Sequence, residues 1–140
     1  MAQEINTNDR LPDTAEVSAL SLAYIGDACY ELIIRSLALA TFNGKAGDLN
    51  KIAKSYTNAQ AQCRIGKAVE PHLTEAEEHV FKRGRNAKSI SAPKTCTIGE
   101  YRVATGLEAL IGYLYLKGDM ERAKEIVKLG IDLVKAGEQD

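Results

Sequence analysis

Over residues 18–41 the apolar side chains recur at three- and four-residue steps, a period that an amphipathic helix satisfies and a strand does not. Leu22, Ile25, Cys29, Leu32, Ser36 and Leu39 form the stripe and are its predicted buried face. The same period returns over residues 100–116 with Val103, Leu107, Leu110 and Leu114, and near the end of the chain with Ile126, Leu129 and Leu133. Strand-building runs of Val, Thr and aromatics are missing, and there are only three prolines to interrupt helices. With 45% hydrophobic residues in 140, there is enough for a single core. These features predict one all-α domain of six to seven helices across residues 1–140.

Punctuation between the periodic segments sets the expected boundaries. Residues 1–13 are polar and are expected to be flexible. Asn43 and Gly44 should end the first long helix, and Asp48 is placed to cap a short one. Thr57 with Gln60, and Thr74 with Glu77, have capping-box spacing, and Pro71 should end the helix between them. Residues 84–99 are rich in breakers and basic groups and read as a loop. Gly118 stops the next helix and Asp119 caps the last.

The net charge of −1 predicts no long-range attraction to nucleic acid, so any such binding must be local. Cys29, Cys63 and Cys96 are widely spaced, without metal-ligand or disulfide patterning, as expected of reduced thiols in the cytoplasm. The first residues carry no basic stretch followed by an apolar run, and no segment reaches the length of a membrane span. His72 and His79 have no nucleophile or carboxylate at a recognisable spacing and are assigned no catalytic role.

Two carboxylates stand where apolar residues are expected. Asp27 lies at the centre of Leu22-Ala23-Tyr24-Ile25-Gly26-Asp27-Ala28, and Glu108 within Gly106-Leu107-Glu108-Ala109-Leu110-Ile111-Gly112. Such acids are costly in mid-helix unless paired or bound to a metal. Neighbouring glycines would admit a second helix or a phosphate backbone at close range; Gly26 itself costs about 1 kcal/mol relative to Ala in a helix. Packed together, the two helices could converge both acids on a hard cation such as Mg²⁺. Spacing alone leaves a second reading open, in which Asp27 pairs with a core Arg or Lys and Glu108 faces solvent.

Lys82, Arg83, Arg85, Lys88 and Lys94 fall within thirteen positions that contain no acid. They could hold phosphates, with Asn86 and Ser89 adding neutral hydrogen bonds, or could simply be a solvated surface. Tyr101 and Arg102 open the Glu108 helix and could face the same groove, whereas Tyr24, Tyr113 and Tyr115 fit core packing equally well.

The stretch from Leu22 to Ala28 resembles the signature helix of the ribonuclease III family, and the stretch from Leu107 to Gly112 resembles its second catalytic helix. Lys82-Arg83-Gly84-Arg85-Asn86-Ala87-Lys88-Ser89 and Tyr101-Arg102 are similar to the Mini-ribonuclease III branch. The resemblance runs over about residues 18–134. It implies an all-α, homodimeric endonuclease that cuts double-stranded RNA with Mg²⁺ (Mn²⁺ as a substitute), leaving 5′-phosphate and 3′-hydroxyl ends. It implies Asp27 and Glu108 as catalytic metal ligands. It further implies RNA contacts from Arg83, Arg85, Asn86, Lys88, Ser89, Lys94, Tyr101 and Arg102. The branch is associated with trimming of 23S ribosomal RNA precursors, with ribosomal proteins as possible helpers.

Two departures qualify this expectation. Longer members of the family carry an acid four residues before the aspartate and another three before the glutamate; here those positions are Ala23 and Thr105. A sparser site should bind its ion well only once RNA phosphates complete the shell. Only 32 residues follow Glu108, too few for the separate RNA-binding domain of longer members, so contacts should come from the nuclease domain alone. Two other function classes compete: a silent module that binds structured RNA without cutting it, and a helical adaptor whose acids are structural ion pairs.

Overall fold

The computed structural model describes residues 3–88, 92 and 94–138. Six α-helices account for most of them: α1 Ala19–Thr41, α2 Ala46–Thr57, α3 Ala59–Val69, α4 Glu75–Asn86, α5 Ile98–Leu116 and α6 Met120–Glu138. Single 3-10 turns occur at Thr14–Glu16 and Glu70–His72, and no strand is present among the described residues. The all-α expectation is met.

Side-chain caps start the helices. The Ser18 hydroxyl accepts from Ser21 N at 3.1 Å to open α1. Thr74 and Glu77 form the expected capping box, with Glu77 N on Thr74 Oγ1 at 3.2 Å and Thr74 N on Glu77 Oε1 at 2.9 Å. A further box, Thr97 with Glu100, opens α5 two residues earlier than the apolar pattern suggests. Two expected caps are corrected. Asn58, not Thr57, caps α3 by accepting from Ala61 N at 2.8 Å, which frees the Gln60 amide to donate to Thr95 O. α2 begins at Ala46, so Asp48 lies within its first turn instead of capping it. Gly118 takes φ +84°, closed to most side chains, and there the chain turns from α5 into α6.

α5 is the central helix, with α1, α3 and α4 packed along it and α6 closing the far side of α3. Its Leu107, Leu110, Ile111 and Leu114 meet Tyr30 and Ile33 of α1, Phe81 of α4, and Ile126 and Val127 of α6 in one core. Glycine pairs set two close crossings on α5. A Cβ on Gly26 would overlap the Glu108 carbonyl, and one on Gly112 would overlap the Leu22 carbonyl, so α1 and α5 meet backbone to backbone. On another side of α5, a Cβ on Gly84 would come within 2.9 Å of the Gly106 Cα, so α4 also packs close, though less tightly than α1.

The buried face of α1 differs from the predicted stripe. Leu22, Ala23, Gly26, Cys29, Tyr30, Ile33, Ile34 and Ala38 are buried, whereas Leu32, Ser36 and Leu39 are exposed. The close approach at Gly26 rotates the helix so that its smallest residues, and not all its largest, face α5. A buried ion pair ties α4 to α6: Arg122 Nε lies 2.8 Å from Glu77 Oε2, and Arg122 Nη2 lies 2.9 Å from Glu77 Oε1.

Candidate active site

The glycine crossing that joins α1 to α5 also builds the acidic site. Gly26 sits against the backbone of Glu108, so the next residue on α1, Asp27, is carried to the Glu108 side chain. The two carboxyl groups are within hydrogen-bonding reach of each other. One part of the sequence reading is corrected: Asp27 is exposed at the rim, and only Glu108 is substantially buried.

A third polar side chain reaches the pair from α3. Gln62 is 3% exposed, and its Nε2 donates to Glu108 Oε2 across 3.4 Å, a long contact for a hydrogen bond. Burial first, and then the neighbouring Asp27 carboxyl, raise the Glu108 carboxyl while the Gln62 amide partly opposes them, and together they push it up to about 8. Tyr30 lies beneath, its hydroxyl donating to Tyr56 O at 2.7 Å; burial, with Glu108 nearby, holds its proton far above the usual phenol range.

Neither Asp27 nor Glu108 takes part in an ion pair among the described residues. The reading in which Asp27 neutralises a core Arg or Lys is therefore not the arrangement found. Two carboxyl groups set against each other make an oxygen donor pair which, once Glu108 gives up its proton, suits a hard divalent cation that retains most of its waters. The set is small: no group of three or more His, Cys, Asp or Glu side chains converges among the described residues. Ala23 is buried, and Thr105 is buried with its hydroxyl on the Tyr101 carbonyl at 2.9 Å, so neither position adds a ligand.

The basic constellation is less uniform than its spacing suggests. α4 continues to Asn86, so Arg85 and Asn86 are helical like Arg83 and not part of the loop expected over residues 84–99. Arg83 reaches back to the Val17 carbonyl at 3.3 Å. Arg85 pairs with Glu70 at 3.2 Å and stacks over Phe81 with 5.9 Å to the ring centroid, a largely structural commitment. Asn86, Lys88, Lys94 and Arg102 are exposed and Tyr101 is half-buried; Ser89 lies outside the described residues. Lys82, also exposed, pairs with Glu78 at 2.7 Å. Gln62 escaped the sequence reading. Its signal was available, since it holds the i position of an i, i+3, i+7 stripe completed by Ile65 and Val69.

A six-helix fold with a paired carboxylate at a glycine crossing defines a class, and comparison with known proteins agrees with it. Residues 20–119 match the model of the ribonuclease III domain, and the chain belongs to that family. Its activity is that of an endoribonuclease of the ribonuclease III type. Among relatives, the Mini-ribonuclease 3 of Symbiobacterium thermophilum is 42% identical over 92% of this chain and 99% of that protein. The Mini-ribonuclease 3 of Brevibacillus brevis is 46% identical over 83% of this chain and 87% of its own length. A crystal structure of a Fusobacterium nucleatum protein superposes with a TM-score of 0.74 at 39% identity, covering 84% of this chain and 93% of that one.

Proposed function

We propose that the chain hydrolyses double-stranded RNA as a Mg²⁺-dependent homodimer, with Asp27 and Glu108 of each protomer at one cutting site. The observation that carries this reading is the unneutralised pair: Glu108 is pushed up to about 8 beside Asp27, with no basic side chain bonded to either among the described residues. A carboxylate that burial and a like charge disfavour gains most from a cation.

Asp27 and Glu108 would hold the ion, either Mg²⁺ or Mn²⁺, between them. The ion supplies an activated water and stabilisation of negative charge on the phosphodiester. Asp27, exposed at the rim, would hold the ion where RNA phosphate can reach it. Glu108, held from α3 by the Gln62 amide, would supply the second carboxylate. With only two protein carboxylates, phosphate oxygens are needed to complete the shell, so metal and RNA should bind cooperatively.

The RNA-contacting set would be Arg83, Asn86, Lys88, Ser89 and Lys94 with Tyr101 and Arg102. Arg85 would contribute more through Glu70 and Phe81 than through phosphate. Duplex RNA is read through shape and backbone, so these groups should confer little base preference.

Dimerisation is supported by the outer face of α1. Tyr24 is 82% exposed and Leu32 60%, with Leu20 and Leu39 also open, a run of apolar surface that an isologous partner would cover. Tyr24 is one turn before Asp27, so such an interface would border the site.

Precursor 23S ribosomal RNA is the proposed natural substrate, with ribosomal proteins as helpers and the cytoplasm as location. No helix of the described residues is long and apolar enough to cross a membrane. The test incubates a long RNA duplex with Mg²⁺ and wild type, Asp27→Asn or Glu108→Gln. Cleavage by wild type, reduced on the order of 10³-fold in both variants, is expected. Unchanged cleavage in both would remove the site assignment, and RNA binding without cleavage by wild type would support a silent module.

A further inference from the structure

Gln62 is the one charged or amide side chain among the buried residues of α3, beside Ala61, Cys63, Ile65, Gly66 and Val69. Burying an amide without need costs roughly 1–3 kcal/mol in proteins, and an apolar residue would fill the same stripe. The amide is not idle, since it points at Glu108, the buried half of the acidic pair. α3 is itself fixed against α5 next door, where a Cβ on Gly66 would come within 2.9 Å of Val103 Cγ1. The donor therefore rests on a rigid element and not on a loop.

The chemistry of this position narrows what Gln62 can do. Lys or Arg there would neutralise Glu108 and compete with the cation for the same oxygens. Leu there would leave Glu108 held by Asp27 without a second side-chain anchor from α3, because positions 23 and 105 supply no further acid. A neutral amide fixes one carboxylate oxygen while leaving the charge of the pair available. From this geometry we infer that Gln62 is a positioning residue, which anchors Glu108 Oε2 from α3 so that the carboxylate presents a fixed face to the cation.

The inference rests on the reading of Asp27 and Glu108 as the metal site. Partners of this kind, placed just behind metal ligands, typically carry 10- to 100-fold of metal affinity or activity.

The experiment compares wild type, Gln62→Leu, Gln62→Asn and Asp27→Asn. Thermal unfolding of the metal-free proteins reports folding. Electron paramagnetic resonance of free Mn²⁺ reports binding to the protein without RNA, and the Mg²⁺ midpoint and RNA KM are read from duplex cleavage. Asn keeps the amide but is one methylene shorter, so it cannot span a contact already 3.4 Å long. Both Gln62 variants are expected to fold, to raise the Mg²⁺ midpoint by about tenfold, to weaken Mn²⁺ binding in parallel, and to leave RNA KM at saturating Mg²⁺ within about twofold. If Gln62→Leu does not fold, Gln62→Asn decides. A folded Gln62 variant with wild-type metal midpoints overturns the inference, as does one whose only change is in RNA KM. If Asp27→Asn also keeps wild-type cleavage and Mn²⁺ binding, the metal-site reading has failed instead.

Discussion

Asp27 and Glu108 repel one another whenever both are ionised, and Glu108 absorbs most of that cost because it is the buried member. Its carboxyl moves from 4.5 to about 8 on folding. Between those values the folded chain keeps a proton that the unfolded chain has released. Linkage then requires stability to fall as pH rises through the window from about 4.5 to about 8. Metal-free protein should accordingly unfold at lower temperature at pH 8 than at pH 5.5, and Glu108→Gln should flatten that part of the profile. Calorimetric scans across the range check this. A cation that binds the ionised pair must displace the Glu108 proton, so the Mg²⁺ midpoint for cleavage should drop as pH increases from 6 to about 8. A midpoint independent of pH would contradict it.

The elements are held by two kinds of contact that respond differently to mutation. α1 and α5 meet through glycines, where the Gly26 α-carbon faces the Glu108 carbonyl with no room for a methyl group. Gly26→Ala should cost about 1–3 kcal/mol by overpacking, read as a lower denaturation midpoint. Any folded remainder should cleave poorly, because Asp27 moves with the displaced helix. Gly47 has open space around it in α2, so Gly47→Ala serves as the control and should leave cleavage intact and raise stability by up to about 1 kcal/mol. α4 and α6 are joined instead by Glu77 and Arg122, whose bond holds the Glu77 carboxyl below the usual range. That contribution is present above the unfolded pKa and is lost as pH falls, opposite in sign to Glu108. Arg122→Ala strands a buried carboxylate and should cost about 3 kcal/mol at neutral pH, less in acid, with metal dependence of cleavage unaltered.

At the scale of the whole molecule, a net charge of −1 gives no global field to attract RNA, and among the candidate contacts Lys88, Lys94 and Arg102 are the exposed cations. Binding to duplex should therefore rest on local contacts, with a slope of log affinity against log salt of about three to five per protomer from the candidate contacts. Lys88→Ala and Arg102→Ala should each reduce that slope by about one. Tyr24→Asp places a charge on the exposed apolar face of α1. It should shift sedimentation from dimer to monomer while leaving the helical circular dichroism unchanged.

Much of this could be read before any coordinates. Helical periods, the Thr74 and Asp119 caps, the Gly118 stop and the two misplaced acids are local signals, each set by residues within a few positions of one another. They determined an all-α chain, and motif order tied Asp27 and Glu108 to the ribonuclease III family. Which face of α1 is buried was not determined, because Leu32 and Leu39 carry the same local period as Cys29 and Tyr30. The choice fell to a backbone crossing at Gly26 and Gly112, 86 positions apart by their numbers. The same crossing left Asp27 at the rim and buried Glu108, and packing of α3 on α5 brought Gln62 to it. Periodicity says that a helix has an inner side. Only the partner helix, by where it allows the closest approach, decides which side that is and how its acids meet.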